Sequence, residues 1–188
     1  MSNIYFVRHA QPNFNNHDEV NRELSDKGLK DREKIVNFFS NIKIDKIYSS
    51  PYKRTIDTIK LCSIDKNLKI ILIDDFRERK IGEWVENFNE FSIKQWEDFN
   101  YKLENGESLL QVQKRNIQAL KNLINNDYNY NIIISGHGTS ISTIINYFDK
   151  KFDINEFNKI KNKMPFILKF EFNDLGKFLN YKFIDLED

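Results

Sequence analysis

The chain reads as an α/β protein, a three-layer α/β/α sandwich with a mainly parallel central sheet and a C-terminal β-hairpin. Three observations predict it. Short runs rich in Ile alternate with stretches of helical periodicity, as in sheets whose parallel strands are joined by helices on both faces. No internal repeat, low-complexity tract or Pro/Gly/Ser-rich linker interrupts the 188 residues, so a single domain over 1–188 is expected. The chain then closes on two alternating segments around Asn173-Asp174-Leu175-Gly176, a hairpin signature.

The elements follow in order. Residues 3–7 form a short buried strand. Ser25 offers an N-cap for a helix over 26–40, with Leu29, Ile35, Val36, Phe38 and Phe39 as its apolar stripe. A second strand at 45–49 stops at Ser50-Pro51, and a helix follows over 52–62. The third strand spans 68–73. From Gly82 to Gly106 the chain is polar and aromatic, which suggests a helical lid inserted over 83–106. Ser108-x-x-Gln111 has capping-box spacing and opens a helix to about residue 125. A fourth strand at 131–135 leads through Gly136-His137-Gly138 into a helix over 139–148, and 166–172 and 177–183 make the hairpin.

Composition narrows the function. Hydrophobic residues make up 40% of the chain, enough for a sizeable core. Lys plus Arg (29) nearly balance Asp plus Glu (28), so no global field draws the protein to nucleic acid or to an anionic membrane, and any anion site must be local. Cys62 is the one cysteine, which excludes an intrachain disulfide and a cysteine metal cluster; a small buried helix residue is the expected role. No stretch has the length of a membrane span and no leader pattern precedes the first strand, so a cytoplasmic setting is expected. The outer edge of the hairpin offers a surface on which a homodimer could pair.

In open parallel sheets ligands collect beyond the carboxyl ends of the strands. Arg8-His9 end the first strand, Arg54 follows the second, Glu78 the third, and His137 the fourth. Arginine forks bind phosphate oxygens bidentately and stay charged at working pH. A neutral imidazole can attack phosphorus, and a carboxyl group can protonate the leaving alkoxide and then activate water. Backbone N–H groups after Gly138 could add anion contacts. With cations already in the chain, the set demands neither metal nor cofactor.

These residues lie in blocks that resemble the histidine phosphatase superfamily, the phosphoglycerate mutase-like group. Arg8-His9-Ala10-Gln11 with Asn15 is similar to the family's opening motif, and Leu24-Ser25-Asp26-Lys27-Gly28 to the start of its first helix. The segment from Ser49 to Thr58 resembles the one carrying a second phosphate-binding arginine, here Arg54. Phe76-Arg77-Glu78 with Gly82-Glu83-Trp84, Gly106-Glu107-Ser108 and Ser135-Gly136-His137-Gly138 complete the order. The resemblance implies that His9 is the phosphorylated nucleophile, that Arg8, Arg54 and His137 form the phosphate pocket with a contact from Asn15, and that Glu78 is the acid and base. His137 would be protonated or donating. The chain departs from the pattern at Ala10, where glycine is usual, and at Val85-Glu86-Asn87, which lacks a common Glu-Gly pair.

Outside the blocks, plainer readings hold. His17 reads as a solvated loop histidine, and Glu83 is the runner-up acid to Glu78. Arg77, Arg79 and Lys80 read as a solvated charge run in which one member could reach a second anionic group, and Arg115 as an exposed helix residue. The aromatics from Trp84 to Tyr101 read as packing, with stacking on a ring-bearing substrate the lesser alternative. The expected activity is hydrolysis of a small phosphorylated metabolite by a metal-independent phosphomonoesterase. A phosphoglycerate-type mutase and a non-catalytic phosphate-recognition protein are the competing readings.

Overall fold

A computed structural model describes residues 1–127, 129–184 and 186. Its elements are β1 (Ser2–Arg8), α1 (Asp26–Phe39), β2 (Lys46–Ser49), α2 (Lys53–Asp65), β3 (Ile70–Leu72), α3 (Phe88–Glu97), α4 (Leu109–Asn126), β4 (Asn131–Gly136), α5 (Gly138–Phe148), α6 (Ile154–Ile160), β5 (Phe166–Phe172) and β6 (Phe178–Ile184), with a 3-10 turn at Asp74–Phe76. The strands form one sheet in the order β3-β2-β4-β1-β5-β6. The first four run parallel, and the β5–β6 hairpin is added antiparallel to β1.

The period of two in the strands sorts the core into two layers. Ile4, Phe6, Ile132 and Ile134 face α4, α5 and α6 through Leu109, Leu120, Ile141, Ile144 and Phe157. Tyr5, Val7, Ile47 and Ile133 face α1 and α2 through Ile35, Phe39, Ile59 and Cys62. Ser25 accepts from Gly28 N at the start of α1, and Ser108 and Gln111 close a reciprocal capping box on α4. Each cap contributes about 1 kcal/mol.

Three details differ from the sequence expectation. Leu29 is exposed, and the corresponding buried position of α1 belongs to Asp31, which pairs with Lys27 at 2.5 Å. Residues 68–73 shrink to a three-residue edge strand with Ile71 and Leu72 exposed, because among the described residues no strand pairs beyond β3. Helix α6 was not expected: with seven residues and only Phe157 and Ile160 buried, it is too short to show a period.

The 82–106 segment is a closed excursion. Gly82 has φ +96°, and a Cβ there would lie 2.3 Å from Gly106 N, so the two ends of the loop touch backbone to backbone. Glu107 N donates to Lys80 O at 2.7 Å just behind this neck. Within the excursion α3 starts at Asn87, whose side chain accepts from Glu90 N, and Trp96 anchors it among Phe99, Phe152 and Phe157. Among the described residues no helix is long and apolar enough to cross a membrane.

Candidate active site

Sheet register brings the two histidines together. Arg8 pairs with Gly136 across β1 and β4, so the next residue of each strand, His9 and His137, leaves the sheet beside the other. Their ring centroids are 5.4 Å apart at 66°. Ser49 pairs with Ser135, which sets Ser50 Oγ 2.8 Å from His137 Nε2. The ring of Tyr52 covers His137 from the other side at 5.1 Å.

His9 is buried but reaches the cavity wall. Its Nδ1 lies 2.8 Å from Ala10 O. A carbonyl only accepts, so Nδ1 carries the proton and Nε2 keeps its lone pair. Ala10 N in turn donates to Thr58 Oγ1 at 2.9 Å, which fixes the backbone behind the ring. Burial first, then Arg54 and Arg8, push the His9 imidazole well below its ordinary range. His137 is pushed well below its range in the same way, by burial and then Arg54. Both rings are therefore neutral at neutral pH. His137 is 0% exposed and sits behind His9 and Tyr52 without lining the cavity; its Nδ1 has no partner.

Two arginines flank this pair. Arg8 donates from Nη1 to the carbonyls of Ile160, Lys161 and Lys163 at 3.0, 2.8 and 2.9 Å, using the loose carbonyls at the end of α6, while its buried Nε has no partner. A Cβ on Gly138 would stand 2.9 Å from Arg8 Cζ, so glycine is what lets the α5 backbone lie against the guanidinium. Burial lowers Arg8 to about 10, with Glu78 opposing. Arg54, in the first turn of α2, is 3% exposed and donates to Glu19 O at 2.5 Å and to Glu19 Oε2 at 3.1 Å.

Glu78 follows the 3-10 turn after β3. Its carboxylate accepts from Thr139 N and Ser140 N, both at 3.2 Å, and from Arg79 N at 2.8 Å. The helix N-terminus expected to meet an external anion is thus occupied by Glu78 itself, which is how a loop carboxylate comes to be held among the arginines.

Arg8, His9, Arg54 and Glu78 line one cavity of about 1290 Å³, far larger than a phosphate needs. Asn15 does not join them. The Asn13–Asn16 turn, closed by Asn16 N to Asn13 O at 3.2 Å, puts Phe14 and His17 on the lining and leaves Asn15 exposed outside it. His17 is an exposed loop histidine, as expected, and lies on the cavity wall. Glu19 and Arg22 also line the wall, and no sequence signal pointed to either. Glu83 lines the rim, and Trp84 beside it is 88% exposed.

Arg79 and Arg115, expected in solvent, are not there. Arg79 is 7% exposed and lies over the rings of Phe88 and Phe91 at 5.4 and 5.1 Å. Arg115 grips Glu107 through Nε and Nη2 at 2.9 and 3.0 Å and also donates to the carbonyls of Asp75, Arg77 and Glu78. Glu107 accepts from Arg77 Nη2 at 2.9 Å and from Lys80 N at 3.0 Å, and the Arg115 fork holds its carboxyl below the usual range against the opposing effect of burial. Glu78 is thus gripped on both sides of its own peptide.

Known proteins share this architecture. The model of the histidine phosphatase superfamily (branch 1) matches residues 4–182. Phosphoserine phosphatase 1 of Hydrogenobacter thermophilus is 28% identical over 151 residues, 73% of this chain and 71% of that one. Phosphoserine phosphatase from Entamoeba histolytica, crystallised with 3-phosphoglyceric acid, shares the fold at a TM-score of 0.79 and 24% identity over 98% of both chains. A mycobacterial glucosyl-3-phosphoglycerate phosphatase does so at 0.76 and 16% identity over 96% of both. With the family model covering nearly the whole chain, the protein belongs to the histidine phosphatase superfamily, branch 1.

Proposed function

We propose that this phosphatase hydrolyses a small phosphorylated hydroxy or amino acid through a phosphohistidine at His9. The observation that carries the reading is the convergence of Arg8, His9, Arg54 and Glu78 on one cavity, with His137 packed against His9. His9 Nε2 attacks phosphorus in line while Nδ1–H stays on Ala10 O, so the ring is aimed and held in one tautomer throughout. Arg8 and Arg54 take the non-bridging oxygens, and a neutral His137 packs behind His9 and holds its ring against the site. Glu78 gives its proton to the departing alkoxide, then removes one from the water that frees His9.

The substrate class draws on the relatives, two of which are named for phosphoserine and one for a glycerate phosphate. The cavity's volume beyond the phosphate end leaves room for such an alcohol. Its exposed Trp84 rim admits water and favours hydrolysis over return of the phosphoryl group to an acceptor. A panel of phosphorylated metabolites, compared by kcat/KM, tests this. Phosphorylated hydroxy and amino acids should lead, and preference for nucleotide or sugar phosphates would refute the assignment.

A further inference from the structure

We infer that Arg79 reads a second anionic group, a carboxylate, on the alcohol portion of the ester. The inference rests on the phosphatase reading above and names one more residue of the same cavity. Its basis is a buried cation that makes no direct ion pair among the described residues. Arg79 is 7% exposed, yet no carboxylate lies within ion-pair distance of its guanidinium among the described residues. Among the described residues its one side-chain hydrogen bond goes from Nη1 to Gln95 Oε1 at 2.6 Å, a neutral acceptor. Nε is buried with no hydrogen-bond partner among the described residues. A desolvated guanidinium ordinarily has its charge matched, and the cost of leaving it open is large.

The surroundings aim it. Phe88 and Phe91, both on α3, hold the guanidinium plane, and Arg79 lines the same cavity as His9. Its backbone N–H binds Glu78 Oε1 at 2.8 Å, so it stands next to the group proposed to protonate the leaving oxygen. An anion placed there belongs to the alcohol and not to the phosphoryl group. Lys80 and Lys161 line the same cavity and add positive charge to it. A guanidinium fork fits a carboxylate bidentately.

The test compares O-phosphoserine with phosphoethanolamine, which differ by that carboxylate, in the wild type, Arg79→Met and Arg79→Lys. The wild type should favour phosphoserine in kcat/KM by about 10- to 100-fold, the effect of a hydrogen bond to a charged group. Arg79→Met should collapse that ratio towards one, and Arg79→Lys should restore part of it. A purely structural arginine would lower both esters alike and leave the ratio untouched, which overturns the inference. So does a wild type that hydrolyses both equally, a comparison that needs no variant to fold. Aryl phosphate turnover with neither ester accepted removes Arg79's role while sparing the phosphatase reading, and no turnover of any ester removes both.

Discussion

Glu19 holds the Arg54 guanidinium twice, through its backbone carbonyl at 2.5 Å and its Oε2 at 3.1 Å. The carboxylate stands on a cation that the proposed reaction needs for phosphate. It is also 60% exposed at its side chain, so solvent weakens the pair and an incoming dianion can displace it.

Replacing that charge should therefore tighten anion binding. Glu19→Gln keeps the backbone contact and the shape, and is expected to lower the inhibition constant for inorganic phosphate by about 3- to 10-fold, a modest effect in keeping with an exposed charge. Product-inhibition kinetics would show it. An unchanged or weaker affinity would mean that Glu19 serves only to order its loop.

The two buried imidazoles set a pH dependence of stability. Both are pushed well below the ordinary histidine range, so in the folded chain they remain neutral at pH values where the unfolded chain binds protons. The sign follows: their contribution is fully present above about pH 6.5 and is lost as pH falls from there towards their folded values. Melting temperature should drop on acidification through this window, and less steeply in His9→Gln. Equal slopes for variant and wild type would contradict the burial argument.

Arg115 makes five side-chain hydrogen bonds around the Glu78 segment. Arg115→Met leaves the largely buried Glu107 carboxylate without its fork and should destabilise the fold by about 3 kcal/mol. Thermal denaturation checks that loss. In the protein that remains folded, kcat should fall more than KM rises, because Glu78 acts on the leaving group and not on ground-state binding. Arg115→Lys should recover charge but not the fork, and so only part of the rate. A change in KM alone would separate Arg115 from Glu78.

Much of this was legible in the sequence because strand ends have fixed neighbours. Arg8-His9 and Gly136-His137 each close an apolar run, and a parallel register was enough to bring them side by side. Capping residues such as Ser25 and Ser108 announced their helices by local chemistry alone. What escaped was long-range and side-chain specific. Arg79, Arg115 and Glu107 sit in charged or polar stretches that look solvated; Phe88, Phe91 and Gln95 of the 82–106 excursion cover Arg79, while Arg115 and Glu107 are held by each other and by the 75–80 segment. The turn at Asn13 reversed which loop residues face inward, exposing Asn15 and enlisting His17, because side-chain bonds from Asn13 and Asn16 to Glu23 shape that loop and leave no periodic trace.

The most direct measurement is to trap the phosphoenzyme. An alkaline quench within the first turnover of a labelled aryl phosphate, followed by peptide mapping, should place one phosphoryl group on the peptide that carries His9, with none in His9→Ala. Label on the His137 peptide, or turnover with no phosphorylated chain above background, would contradict nucleophilic attack by His9.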